Sequence, residues 1–458
     1  MPHAASTASG SVLAGAIPRQ RATTPVERRI ALVSASLGAG HNGAAAELAR
    51  RLTTQGHLVD RLDLLDLLPA RLGRTVQDGY HRMLVRAPWA YQRIYSRTEW
   101  AGGGGPVARA LLRSAEDRVL RALPPGTGAV VSTYPGASRV LGNLRLAGRL
   151  NVPVVTYLTD FSVYPLWVAP GVDVHLAAHA IPAAQARAAG ARDVRVCGPV
   201  TDPLFTPPTT AERDRARAGF ALPRHAPLAL LVAGSWGVGP VRQVARGLRE
   251  CGAAVPVVVC GRNESLARHL HADGVEHAFG WVDDMPGLMC AADVLVQNAG
   301  GLTSLEAFAS GLPVASYRCI PGHGLMNAAA LHEAGAAVWI RNPADLKQTL
   351  NDLIDGPLGH RQRETGLALF ARSPDSGPAA EIARLHHATV PDHGRKIAAQ
   401  RRSALRRLAT IAALATALWT SAVAMGVATD YDGPDFLRTL GHSLDPDAHV
   451  PPIGGHHA

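Results

Sequence analysis

Two segments of this chain share one pattern, and that pattern leaves little freedom of fold. Arg29-Ile30-Ala31-Leu32-Val33-Ser34 is a short apolar run leading into a glycine loop, in which Gly38, Gly40 and Gly43 precede an Ala-rich helical stretch from about Ala44 to Gln55. Leu228-Ala229-Leu230-Leu231-Val232-Ala233 runs likewise into Gly234-Ser235. A short apolar run closed by glycine predicts a strand buried on both faces, and the helix after it packs back onto the sheet. Further apolar runs at 129–132, 152–158 and 172–177, then at 255–260 and 294–297, alternate with helical stretches. Strands alternating with helices form parallel sheets, so the expected class is α/β with two Rossmann-type halves.

A length of 458 residues exceeds one ordinary domain, and 47% apolar content is enough for well-filled cores. A Pro-rich break from Cys197-Gly198-Pro199 to Pro207-Pro208 separates the halves. The predicted organisation is a disordered tail over 1–27, a first domain over 28–205 and a second over 206–388, followed by a basic linker over 389–407, an apolar segment over 408–429 and a tail over 430–458. The apolar stretch from Val12 to Ile17 is too short for a signal-peptide core and has no basic run ahead of it. Residues 408–429 carry no charge, which is long enough for a helix to cross a bilayer. Arg395, Lys396, Arg401, Arg402, Arg406 and Arg407 precede that segment, and Asp430, Asp432 and Asp435 follow it. This asymmetry predicts a globular part on the cytoplasmic face of the cell membrane and an exported tail. The alternative is a soluble or interfacial helix, because alanine and threonine dominate the segment.

The net charge of +10 suggests an anionic partner. Tyr80, Trp89, Tyr91, Tyr95 and Trp100 interleave with Arg71, Arg74, Arg82, Arg86, Arg93 and Arg97, a mixture suited to the headgroup layer of an anionic membrane. A helical hairpin with packed aromatics and a solvated basic face gives the same pattern. No nucleic-acid reader motif accompanies these residues, so no nucleic-acid partner is expected. The five cysteines form no CxxC pair and the histidines no HExxH spacing, so neither a disulfide framework nor a metal site is predicted.

The most informative stretch is Val294-Leu295-Val296-Gln297-Asn298-Ala299-Gly300-Gly301-Leu302-Thr303-Ser304-Leu305-Glu306. A buried strand meets two glycines, and Thr303-Ser304 begin a helix whose first amides point back at the turn. Such a helix start binds phosphate through free N–H groups and the positive end of the dipole. Glu306, one turn further, can reach a ribose diol. In the first loop, Gly38, Gly40 and Gly43 keep the offsets of a dinucleotide fingerprint, but only Asp60 or Asp63 offers an acidic partner, so a dehydrogenase is the lesser reading.

With Val258-Val259-Cys260-Gly261-Arg262-Asn263, Gly280-Trp281-Val282-Asp283-Asp284-Met285, Ile320-Pro321-Gly322-His323 and the loop Gly38-Ala39-Gly40-His41, the chain resembles the monogalactosyldiacylglycerol synthases. It is also similar to the N-acetylglucosaminyltransferase that completes the lipid-linked peptidoglycan precursor. The resemblance covers residues 29 to 385. It implies a GT-B fold, two Rossmann-like domains facing across a cleft, with an acceptor-binding first domain and a UDP-sugar-binding second domain. It implies an inverting hexosyltransferase that moves a sugar from a UDP-sugar to a membrane lipid such as diacylglycerol. By the same resemblance Gly234, Ser235, Gly261, Arg262, Asn263, Gly300, Gly301, Thr303 and Ser304 belong to the donor site. Met285 also belongs to the donor site, the Gly280-Trp281-Val282 segment lies near the uracil, and Glu306 on the ribose. His323 and Asn327 fall in the sugar-reading segment, whereas relatives have Gln and an acidic or polar residue where this chain has His323-Gly324. The sugar therefore stays open: galactose, glucose, N-acetylglucosamine or another sugar. On the acceptor side stand Gly38 and Gly40, with His41 as the candidate base and Asp160 either holding it or serving as base itself. No cofactor and no metal requirement are predicted, because a helix start can stabilise departing UDP. A UDP-sugar epimerase and a non-catalytic UDP-sugar-binding membrane protein are the rival readings.

Overall fold

The computed structural model describes residues 29–69, 72–86, 106–371 and 377–387. The predicted tails, the 389–407 linker, the 408–429 apolar segment, Arg71 and the 87–105 part of the aromatic-basic stretch lie outside the described residues. Among the described residues no helix is long and apolar enough to cross a membrane.

The first six strands are β1 (Arg29–Ser34), β2 (Leu58–Asp63), β3 (Thr127–Ser132), β4 (Val154–Tyr157), β5 (Val174–Ala177) and β6 (Val194–Val196). They form one parallel sheet in the order β2-β1-β3-β4-β5-β6. The next six are β7 (Leu228–Val232), β8 (Val255–Val259), β9 (His277–Phe279), β10 (Val294–Gln297), β11 (Val314–Tyr317) and β12 (Val338–Ile340). These pair in the order β12-β11-β10-β7-β8-β9, again all parallel. The result is a GT-B-like α/β architecture with two six-stranded sheets.

The two-residue period of a strand explains how each sheet acquires two cores. In β1, Ala31 and Val33 face a cluster with Val140, Leu141 and Leu144 of helix Pro135–Leu146. Ile30 and Leu32 face the opposite cluster with Leu48 and Leu52 of helix Ala39–Thr54. Leu228 and Leu230 of β7 likewise lie in one cluster and Ala229 and Leu231 in another. Helices on both faces leave no wet side to the central strands, which is why they read as unbroken apolar runs. Within the second domain Arg217 is buried and donates to Asp293, which also pairs with Arg213 and accepts the Leu228 N–H at 2.8 Å, fixing helix Thr210–Gly219 to the entry of β7.

One boundary differs from the sequence expectation. The segment up to residue 388 does not all belong to the second domain, because helix Pro378–His387 packs on the first. Its Ala379, Ile382 and Leu385 join Ile30, Leu32 and Leu48, and Glu381 pairs with Arg195 at 2.9 Å. The helix covers an apolar face of the first sheet, a distant requirement that no local pattern near residue 380 expresses.

Topology also says where a ligand can sit. Strand order reverses between β1 and β3 in the first sheet and between β7 and β10 in the second. Loops leaving the strand ends on either side of such a point diverge and open a crevice. The loops after β1, β7 and β10 carry the glycine motifs.

Ile382 is fully buried. Ile382→Ala is expected to lower unfolding free energy by about 2–5 kcal/mol, measured by urea titration, as for other large-to-small core changes. A loss no larger than that of an exposed substitution would mean that the helix is not docked in solution.

Candidate active site

The second domain builds one wall from three loops. After β10 the chain turns through Gly300, whose φ of 71° suits glycine. A Cβ there would lie 2.7 Å from the Asn327 Cβ. The Gln297 side chain accepts the Gly300 N–H and donates to Ser316, so the turn is clamped from beneath. Helix Leu302–Ala309 then starts with Gly301 as its N-cap, with no side-chain cap and no acidic residue in its first turn. Its first amides therefore keep donor capacity and the positive dipole end toward the cavity. In the loop after β8, Gly261 has φ 59°, and a Cβ there would meet the Gly234 and Ser235 carbonyls at 2.4 and 2.6 Å. Only glycine permits that backbone approach.

The far end of this wall is aromatic. Trp281 is half-exposed, its Nε1 donates to Asp283 at 2.9 Å, and the Arg262 guanidinium lies 4.9 Å from its ring centre. Trp281, Val282, Met285, Gly234, Ser235, Gly261, Gly300, Gly301, Thr303, Ser304, Glu306 and His323 all line the cavity. Arg262, Asn263 and Gly280 stand behind the lining: Asn263 caps helix Glu264–Ala272 by accepting the Leu266 N–H at 3.0 Å. Asn327 also lies off the lining, fully buried.

The opposite wall belongs to the first domain. His41 lies in the first turn of helix Ala39–Thr54, with Nδ1 2.9 Å from the Thr133 carbonyl and 2.9 Å from Thr159 Oγ1. A carbonyl only accepts, so Nδ1 carries the hydrogen and Nε2 keeps its lone pair. The Tyr134 and Trp167 rings flank the imidazole at 5.2 and 5.9 Å. Burial pulls the His41 pKa below its usual 6.5, outweighing the opposing pull of the Asp160 charge and the Thr133 carbonyl. Asp160 accepts from Trp167 Nε1 at 3.0 Å and from Asn327 Nδ2 at 3.5 Å. It thus acts on His41 by charge while its hydrogen bonds go elsewhere. His323, at the start of helix His323–Glu333, is also lowered by burial, with Asp160 pulling it up and His41 pushing it down.

Between the walls is a cavity of about 480 Å³, lined on the first-domain side by Gly38, Gly40, His41 and Asp160. The walls nearly touch at their glycine loops: Cβ atoms on Gly40 and Gly43 would lie 3.7 and 2.6 Å from Leu302 side-chain atoms. Two helix starts therefore converge on one space.

Sequence reasoning missed an apolar rim. Tyr80 and Leu84 of helix Leu72–Arg86 line the cavity with Trp236 and Val238 of the other domain. The Trp236 ring lies 6.0 Å from Tyr80 and 5.3 Å from His81. The spacing of Tyr80, Met83 and Leu84 was the available signal, since it marks one helix face. Trp236 gave none beyond being an aromatic in a glycine loop.

Residues 240–356 match the family described as glycosyl transferases group 1. The chain is 27% identical over 212 residues to a processive diacylglycerol beta-glucosyltransferase of Bacillus pumilus, covering 44% of this chain and 55% of that one. It is 25% identical over 316 residues to the Bacillus cereus protein of the same name, covering 67% and 78%. The chain thus spans little more than half of the first relative and over three quarters of the second. Its fold matches that of Medicago truncatula UGT71G1, solved with UDP-glucose, at a TM-score of 0.52 and 14% identity over 79% of this chain and 98% of that one.

Glu306 sits on the cavity wall with its pKa raised to about 7, by burial first and the Asp202 charge second. A diol donating to the carboxylate favours the charged form, so donor affinity should fall as pH drops below 7, approaching about tenfold per pH unit. Calorimetric titration of UDP-sugar between pH 5.5 and 8 measures this, and Glu306→Gln should flatten the dependence. A wild-type profile as flat as the variant's would mean that no ligand diol meets Glu306.

Proposed function

We propose that the chain transfers a hexose from a UDP-sugar to a hydroxyl of a membrane lipid such as diacylglycerol, with inversion at the anomeric carbon. The observation that carries this reading is the opposition of an uncapped helix start at Leu302 and a neutral, Nε2-basic His41 across one cavity. Two relatives named diacylglycerol beta-glucosyltransferases support the lipid acceptor and make UDP-glucose the first donor to try. A β-product from an α-linked nucleotide sugar is what a single displacement gives.

In that displacement the acceptor oxygen forms its bond to the anomeric carbon as the bond from that carbon to the phosphate oxygen breaks. The acceptor proton passes to His41 Nε2, and the negative charge on departing UDP is met by the amides at Leu302 and Thr303 and the loop at Gly234-Ser235. Fixed dipoles aimed at a leaving anion need no divalent cation to do that work, and we propose transfer without a metal or other cofactor. His323, on the cavity lining and favoured in its neutral form by burial, is the residue we assign to the sugar hydroxyls.

The apolar rim of Tyr80, Leu84 and Trp236 offers the acyl chains an entry from the first-domain side. The uncharged 408–429 segment and its basic flank support a membrane location with the catalytic domains on the cytoplasmic face. No observation favours the epimerase or the non-catalytic reading.

A screen of UDP-sugars against total membrane lipid, read by mass spectrometry, tests the reaction. A UDP-hexose-dependent glycolipid is expected, with activity surviving EDTA, and UDP-sugar interconversion without lipid would overturn the reading. His41→Ala should lower kcat by about 100-fold or more, in the range of a lost general base. Because burial lowers the His41 pKa, the loss of kcat on acidification should be centred below the usual histidine range. An unimpaired His41→Ala enzyme would leave the proton without this acceptor.

A further inference from the structure

Asn327 lies between the donor and acceptor walls, and its bonds are fully specified. It is completely buried. Its Oδ1 accepts from the Ser162 N–H at 2.8 Å and the Ser162 hydroxyl at 2.9 Å, while its Nδ2 donates to the Ala299 carbonyl at 3.0 Å and to Asp160 at 3.5 Å. An N–H on one side and a carbonyl on the other fix which end of the amide points where. Two lone pairs and two hydrogens are the whole capacity of an asparagine, and all four are engaged by protein. Nothing is left with which to read a sugar hydroxyl.

What these four bonds join is specific. Ala299 belongs to the turn whose next residue, Gly300, lies against the Asn327 Cβ where any side chain would collide. Ser162 and Asp160 belong to the loop after β4 in the other domain, more than 160 residues away in sequence. Asp160 is held from its other oxygen by Trp167, whose ring lies beside His41. One amide thus connects the phosphate-facing turn of the donor domain to the carboxylate that sets the charge around His41.

We propose that Asn327 is a positioning residue that ties the Gly300-Gly301 turn to Asp160, so that the donor turn and the His41 wall are held in one register across the cleft. The proposal rests on the transfer reading for its kinetic consequence, though not for its geometry. If Asn327 positions, its loss misplaces the base wall while the donor contacts persist. A misplacement of about 1 Å at a reacting centre costs on the order of 100-fold in rate. A sugar-reading asparagine behaves differently, because its loss changes discrimination between hydroxyl epimers.

The test compares the full-length wild type with Asn327→Ala, Asn327→Asp and Ser162→Ala. For Asn327→Ala we expect kcat to fall about 30- to 100-fold, UDP-sugar KM and UDP affinity to change less than about 3-fold, and the UDP-glucose to UDP-galactose preference to hold within about 3-fold. Ser162→Ala, which removes one of four bonds from the acceptor side and leaves the donor wall intact, should lower kcat in the same manner but less, and the double variant should be no worse than Asn327→Ala alone. A readout free of turnover is the His41 ring titration followed by NMR. Asn327→Asp adds a carboxylate beside Asp160 and should shift the His41 titration upward, with Tyr134 and His323 as its other titratable neighbours. An altered sugar preference with unchanged kcat, or a His41 titration identical in Asn327→Asp and wild type, overturns the proposal. Absence of transfer by the wild type with every donor would instead refute the transfer reading, leaving the NMR result to decide the role of Asn327.

Discussion

The structure depends on a close approach between two glycine-bearing helix starts. Helix Ala39–Thr54 presents Gly40 and Gly43 to Leu302, the first residue of helix Leu302–Ala309, and a Cβ at Gly43 would stand 2.6 Å from the Leu302 side chain. Each start carries the positive end of a helix dipole and free backbone N–H groups. A Cβ at Gly40 would make ordinary contact with Leu302, whereas one at Gly43 would require the end of the Leu302 side chain to shift. With glycine there, His41 and the Gly300-Gly301 turn share one cavity. The two sheets are the scaffold that brings these ends together, each opening at its own switch in strand order.

Local patterns made much of this legible. Strands β1 and β7 show in the sequence because burial on both faces demands unbroken apolar runs, and the helix start at Leu302 shows because two glycines follow such a run. Residues whose roles depend on chain segments far apart were not legible. Asn327 looks like part of a sugar-reading segment, yet its bonds run to Ser162 and Asp160 in the other domain. Helix Pro378–His387 follows the second domain in sequence, and only the uncovered face of the first sheet explains its position. Trp236 sits in a glycine loop where no periodicity exists to place it, and its ring neighbours come from helix Leu72–Arg86.

Where the chain departs from its resemblance, at His323-Gly324, the surroundings give a physical reading. A Cβ on Gly324 would fall 2.6 Å from Ile320 and 2.7 Å from the Asn298 carbonyl, so a larger residue cannot stand there without moving the donor turn. His323 shares Asp160 with His41 as an electrostatic neighbour. The replacement therefore changes more than one contact. It brings a second imidazole within electrostatic reach of His41, where an amide would exert no titrating charge.

Desolvation ties these features together because one cause acts with opposite sign on acids and bases. Burial lowers the pKa of His41 and His323, and raises that of Glu306 to about 7. All three move toward their neutral forms near neutral pH, so the cleft carries less charge than its residues suggest. For an anionic nucleotide this matters, since a fully charged Glu306 beside the helix start would oppose the charge that the dipole attracts. Burial thus moves Glu306, His41 and His323 toward their neutral forms, while Asp160 supplies the charge felt by both imidazoles.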